Sequence, residues 1–147
     1  MPNDEFEITR RIEFDAGHRI PYHKHKCYRL HGHRYVLEAT LRGVLHDTDG
    51  ASSFGMVEDF GDIKEIMTRR IANHWDHRML LWRDDLMANP LQIIPDAGVV
   101  LLTVVPTSEN LARLAFNMLA EEMPLLARVR LYETPNCWSD VERHSGV

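Results

Sequence analysis

Two imidazoles and a thiol fall within seven residues in the run Cys27-Tyr28-Arg29-Leu30-His31-Gly32-His33. His31 and His33 stand two apart, and on an extended backbone such side chains project from one face. That suits two nitrogen ligands on one small cation. His18 lies upstream in Phe14-Asp15-Ala16-Gly17-His18, where a strand reads as ending. A third histidine from a neighbouring strand end completes a three-nitrogen set, the ligand number of a catalytic zinc whose fourth position is left to water or substrate. Histidine is abundant, with five of the nine between positions 18 and 33. His23 and His25 form a second His-x-His and compete for the place of third ligand. Otherwise they belong to a solvated loop or touch a substrate phosphate.

Cys27 has two readings at this stage. As a fourth ligand it closes a structural zinc site; as a free thiol beside a metal it is a proton-transfer group, its thiolate favoured by nearby cations. Asp76-His77 offers a second ionisable pair, because a carboxylate next to an imidazole orients it and raises its basicity. The plainer alternative is a histidine at a helix C-terminus, where the dipole favours it. Glu133 shares strand parity with Val129 and Leu131, and a carboxylate facing a core needs a partner. Either Arg128 or Arg130 supplies it, or the register slips at the strand end, or a ligand with two adjacent N–H donors supplies it.

The elements that must hold these groups follow from periodicity. Residues 6–14 carry Phe6, Ile8, Ile12 and Phe14 on one parity and read as a strand. Residues 34–45 alternate with one wet face, as in an antiparallel sheet. Asp62, with Glu65 three residues on, predicts a capped helix running to about His74. Residues 78–98 hold turn signals and one short helical turn. Val99 to Val105 reads as a buried strand. Pro106-Thr107-Ser108 opens a second helix with Leu111, Leu114, Ala115, Met118 and Leu119 on its apolar face. Residues 127–134 alternate again, and the tail from Pro135 reads as irregular. The expectation is an α+β fold over one domain, residues 1–147: an antiparallel four-stranded sheet with two helices packed on one face.

Composition narrows the function classes. A chain of 147 residues, 44% hydrophobic, has material for one ordinary core. A net charge of −5 and a pI near 6.0 offer no nucleic-acid footprint. Lys24, Lys26, Arg29 and Arg34 nevertheless cluster around the histidines, a local positive field suited to a small anion. Two cysteines without a signal peptide read as reduced cytoplasmic thiols, and no apolar stretch is long enough to span a membrane.

Taken in order, His18, Cys27-x3-His31-Gly32-His33, Met56-Val57-x-Asp59-Phe60, Trp75-Asp76-His77, Pro106-Thr107-x-Glu109-Asn110 and Glu133-Thr134 resemble the 6-pyruvoyltetrahydropterin synthase family. The three-residue gap between Cys27 and His31 is similar to the bacterial branch, the 6-carboxy-5,6,7,8-tetrahydropterin synthases of the queuosine pathway. The resemblance implies a tunnelling fold, assembled as trimers that stack into a homohexamer with sites at subunit interfaces. It implies Zn2+ on His18, His31 and His33, with Cys27 as proton-abstracting base and His77 and Asp76 in its relay. Glu133 would anchor the pterin and join the relay, and Thr107 and Ser108 would line the ring pocket. The implied substrate is 7,8-dihydroneopterin triphosphate, converted with release of acetaldehyde and triphosphate. The alternatives are the pyruvoyl-forming reaction, without acetaldehyde, and a non-enzymatic zinc module closed by Cys27.

Overall fold

The structure, a computed structural model, describes residues 4–144. Strand β1 (Phe6–His18) pairs antiparallel with β2 (His31–Gly43) over their whole lengths, Phe6 opposite Gly43 and His18 opposite His31. Between them a loop carries one 3-10 turn, Lys26–Tyr28. Helix α1 (Phe60–Met67) continues through a π-helical segment (Thr68–Ala72) into the short α2 (Asn73–Trp75). Then come β3 (Arg78–Trp82), α3 (Ala88–Gln92), β4 (Val99–Leu102), α4 (Ser108–Ala120), β5 (Leu126–Thr134) and β6 (Cys137–Glu142).

The sheet has six strands in the order β4-β3-β1-β2-β5-β6, not the four expected. It is also mixed. β1–β2, β2–β5 and β5–β6 are antiparallel, whereas β1–β3 and β3–β4 are parallel. The two additional strands, β3 and β6, lie where turn signals and a polar tail obscured them. Val99 to Val105 is corrected as well: only Val99–Leu102 forms a strand, and as the sheet edge it leaves Leu101 43% exposed.

Strand parity decides the two faces. Ile12, Phe14, Ala16 and His18 of β1 are buried, as are Tyr35, Leu37, Ala39 and Leu41 of β2. They pack with Ile63, Met67, Ile71 and Trp75 of the first helical run and with Leu111, Ala115 and Leu119 of α4 in one core. The opposite parity carries ion pairs, among them Arg34 with Glu13 at 3.2 Å and Arg42 with Glu7 at 2.6 Å. Such exposed pairs add little stability each and keep that face wet.

The first helix begins three residues before the predicted Asp62. Asp59 is the N-cap, its carboxylate accepting from Gly61 N–H (2.7 Å) and Asp62 N–H (3.2 Å). Glu65 makes no capping box; it pairs with Arg69 at 2.9 Å. Asp62 sits instead in the first turn, where the helix dipole favours its charge. Replacing Asp59 by Ala strands two helix N–H groups and is expected to cost about 0.5–2 kcal/mol. Urea unfolding of Asp59→Ala beside Asp62→Ala checks the assignment: the larger loss belongs to Asp59.

Candidate metal centre and its cleft

The β1–β2 register puts His18 opposite His31 and Ala16 opposite His33. Both strands thus deliver histidines to the core-facing side at one end of the sheet. Their donor atoms lie within 4.8 Å of one another, and His18, His31 and His33 form the one group of metal-ligating type found among the described residues. Gly17 and Gly32 sit back to back on the other face. A Cβ at Gly32 would meet the Ala16 carbonyl oxygen at 3.0 Å, and one at Gly17 would meet the Met79 side chain at 2.5 Å. Small residues there let the strands close behind the histidines.

Backbone carbonyls set the tautomers. His18 Nδ1 lies 2.8 Å from the Pro106 carbonyl oxygen, which can only accept, so the proton resides on Nδ1 and a lone pair on Nε2. His31 Nδ1 donates likewise to the Arg29 carbonyl at 2.7 Å. The two Nε2 atoms are then 2.9 Å apart, lone pair toward lone pair. A cation between them relieves that repulsion, and carbonyls holding the far nitrogens are the usual outer support of histidine ligands. The residues fit a metal ion. The Tyr35 hydroxyl lies 3.1 Å from His18 Nδ1, and burial raises its pKa, keeping it neutral.

Burial, rather than charge, dominates the imidazole electrostatics. His18 is 1% exposed, and desolvation pulls its pKa from 6.5 down to about 4, with a smaller push from His31 and His33. His33 is lowered for the same reasons. Both are held neutral, the form that ligates.

A cleft of about 370 Å³ opens beside the histidines. His18, His23, Cys27, Thr107, Ser108 and Glu133 line it. Thr107 caps α4, accepting from Asn110 N–H at 3.2 Å, and Ser108 hydrogen-bonds Ser139. Cys27 is half-buried and free, and it does not join the group of convergent histidines. His23 lines the cleft and accepts from His25 N–H at 3.0 Å, also outside that group.

Glu133 is the bulged residue of β5, skipped where Tyr132 pairs Trp138 and Thr134 pairs Cys137. Neither arginine considered for it is engaged there: Arg130 pairs with Asp140 and Arg128 with Glu7 and Glu142. Its imidazole neighbour is His33, Nε2 to Oε2 4.0 Å. Desolvation and then the charge of Glu109 raise its pKa. Glu109 lines the same cleft, as do Cys137 and Trp138. Sequence reading gave none of these a role. Glu109 had a signal, a carboxylate in the first turn behind Thr107; β6 had none, its strand following a polar turn.

Asp76 and His77 lie elsewhere. They pair at 2.9 Å (Oδ2 to Nδ1), and His77 lines a second pocket with Asp15, Gly17, Gly32 and Arg34. Those four belong to the strand parity opposite the core, but Ala16 and His33 of the core-facing parity line this pocket too. Asp76 also accepts from Asp15 N–H at 2.9 Å, the first cause of its lowered pKa, with His77 contributing next. His77 has φ +58, a left-handed conformation uncommon outside glycine. Within one chain, Cys27 and His77 therefore line separate pockets. Arg34, counted in the positive field, turns to this second side and pairs with Glu13 and Asp15. No helix among the described residues is long and apolar enough to cross a membrane.

Comparison with known proteins completes the description. The model of the family described as 6-pyruvoyl tetrahydropterin synthase matches residues 7–144. The 6-carboxy-5,6,7,8-tetrahydropterin synthase of Rickettsia felis is 40% identical over 141 residues, covering 92% of this chain and 99% of that protein. The crystal structure of an uncharacterized Wolinella succinogenes protein superposes with a TM-score of 0.79 at 22% identity, covering 95% of this chain and 99% of the other. The Caenorhabditis elegans 6-pyruvoyl tetrahydropterin synthase gives 0.71 at 26%, covering 98% and 99%.

Two outcomes are expected from this geometry. Alanine at His18, His31 or His33 should strip bound metal, whereas His23→Ala should retain it; elemental analysis of the purified variants decides. In metal-free protein, His18 makes stability depend on pH. Below 6.5 the unfolded chain takes up a proton that the folded chain refuses until about 4. Stability is therefore full above pH 6.5 and falls by about 1.4 kcal/mol per pH unit across that window. Urea unfolding of the metal-free protein at a series of pH values measures the slope; added metal should raise stability and steepen the slope, because metal-bound imidazoles refuse protons that the unfolded chain takes up.

Proposed function

The chain belongs to the 6-pyruvoyl tetrahydropterin synthase family and is an enzyme of lyase type, and from that premise we propose that it converts 7,8-dihydroneopterin triphosphate to 6-carboxy-5,6,7,8-tetrahydropterin. Acetaldehyde and triphosphate are the other products, and the reaction serves queuosine biosynthesis in the cytoplasm. One observation carries this reading: three imidazoles converge at a point that could hold a metal ion, and one of them, His18, borders a single cleft with a free thiol and two carboxylates. The name of the Rickettsia felis relative supports the carboxy product.

His18, His31 and His33 would hold Zn2+. When bound, it supplies a Lewis acid that lowers the pKa of side-chain oxygens on the substrate. Cys27, as thiolate, takes a carbon-bound proton from the substrate side chain. Glu133, with Glu109 beside it, receives the paired N–H donors of the pterin edge, since its local arginines are engaged elsewhere. Its raised pKa marks a carboxylate short of partners until that edge arrives. Thr107 and Ser108 border the ring at the start of α4. Glu133 of the relay borders the Cys27 cleft, but His77 lines a separate pocket of its own chain, which leaves the imidazole's role to be filled. Asp76–His77 of a second copy fills the role in a homohexamer with sites at subunit interfaces, the tunnelling-fold assembly. The whole of residues 1–147 forms one such domain.

Incubation with 7,8-dihydroneopterin triphosphate, with acetaldehyde and triphosphate both assayed, tests the reaction. Triphosphate without acetaldehyde would show the pyruvoyl-forming reaction instead. Cys27→Ala should retain metal and fold while losing about 10²- to 10⁴-fold in rate. Glu133→Gln should weaken pterin binding by about 2–4 kcal/mol, read by calorimetry, with an unchanged thermal melt. Cys27→Ala and His77→Ala, each inactive alone, should regain about a quarter of wild-type activity when co-assembled at equal amounts, as random pairing of copies requires. Absence of recovery places the relay within one chain.

A further inference from the structure

One buried charge lies outside the site and outside everything assigned above. Asp85 is 5% exposed, its side chain wholly enclosed, and it follows β3 in a turn held by Asp85 N–H to the Trp82 carbonyl (2.9 Å). Its Oδ1 accepts from Met87 N–H at 2.9 Å and from the Arg19 guanidinium, and its Oδ2 has no hydrogen-bond partner. Enclosing a carboxylate this way is costly even with its ion pair, which raises the question of what purpose the pair serves.

The second arm of Arg19 shows that purpose. Its Nε donates to the Tyr28 carbonyl at 2.7 Å. Next door, Ile20 N–H donates to the Cys27 carbonyl at 3.1 Å. The two bonds hold consecutive carbonyls of the turn Lys26–Tyr28. That turn has little else to hold it, with no side-chain cap and none of its residues buried. The thiol's place above the cleft therefore depends on a guanidinium that is itself pinned by Asp85.

We propose that Arg19 is a positioning residue for Cys27, and that buried Asp85 locks Arg19 by ion pairing so that the thiol stays fixed beside the metal centre. The part played by Cys27 in turnover rests on the function proposed above; its placement by Arg19 does not. Lysine at 19 keeps the charge but cannot fork to a carboxylate and a carbonyl together. Asparagine at 85 keeps an acceptor for Met87 N–H and removes the charge that fixes the guanidinium.

The test uses full-length zinc-loaded Arg19→Lys and Asp85→Asn, with iodoacetamide as probe and alkylation followed peptide by peptide. Cys137, exposed and on β6, is the internal standard. In both variants Cys27 alkylation should rise by about threefold or more while Cys137 is unchanged, because a loosened turn exposes its side chain. With the pterin substrate, kcat should fall about tenfold with KM held, as misplacement of a reacting group demands. Metal content should match wild type. Wild-type alkylation of Cys27 in both variants overturns the proposal. So does loss of metal or of the cooperative melt in both, which would make the pair a support of the fold alone. Should the wild-type protein fail to turn over the pterin, the proposed function falls, while the alkylation comparison still decides the placement of Cys27.

Discussion

Two imidazole lone pairs brought to 2.9 Å, each kept free by a carbonyl behind it, set the terms for this end of the molecule. A cation between them would relieve the repulsion, and the surrounding chain holds the rings against it. One carbonyl comes from Pro106, immediately ahead of α4, and the other from Arg29, at the close of the β1–β2 loop. The glycines behind them permit close strand contact. Burial of His18 removes the alternative of protonation. Each device is local, and together they turn an ordinary antiparallel strand end into a ligand set.

The sheet then separates two kinds of chemistry. Its core-facing parity ends in the histidines and the cleft with Cys27 and two carboxylates. Its other parity leads to the pocket of Asp76–His77, amid ion pairs that keep the surface wet. Cys27 and His77 line separate pockets of one chain, with His33 on the border of the second. The assembly of copies proposed above would reunite them without any change of fold.

How far the chain was legible depended on periodicity. The histidine triad could be read because strand alternation of period two makes His31 and His33 neighbours in space, and because β1 pairs with β2 along its full length. Helix α4 was legible from its apolar spacing behind Pro106-Thr107-Ser108, and the structure starts it at Ser108 with Thr107 as its cap. β3 and β6 were hidden for different reasons. Met79-Leu80-Leu81-Trp82 lacks alternation, as suits a strand buried between β1 and β4. β6 follows a polar turn and leaves Cys137 and Trp138 exposed. The start of α1 was misplaced because two carboxylates, Asp59 and Asp62, both suit a helix N-terminus, and only backbone geometry shows which one accepts the N–H bonds. The separation of His77 from Cys27 is a matter of sheet faces, which no spacing along the chain encodes.

Strand β1 ties the two half-sites together. Asp15 donates its N–H to Asp76 and accepts the His77 N–H at 2.6 Å, a reciprocal clasp that holds His77 in its left-handed conformation. Three residues on, His18 faces the other way into the histidine cluster. Strain of this kind persists only where the surroundings over-determine it, and here both bonds of the clasp are to one residue of the central strand. The offset between the two half-sites is therefore fixed by a three-residue span of extended backbone, stiffened by β2 along one edge and β3 along the other. In the hexamer proposed above, that fixed span sets where a copy's imidazole must meet its neighbour's thiol. The geometry of the relay is then inherited from the register of β1 on the imidazole side, whereas the Cys27 turn lies outside that register and is held through Arg19 and Ile20.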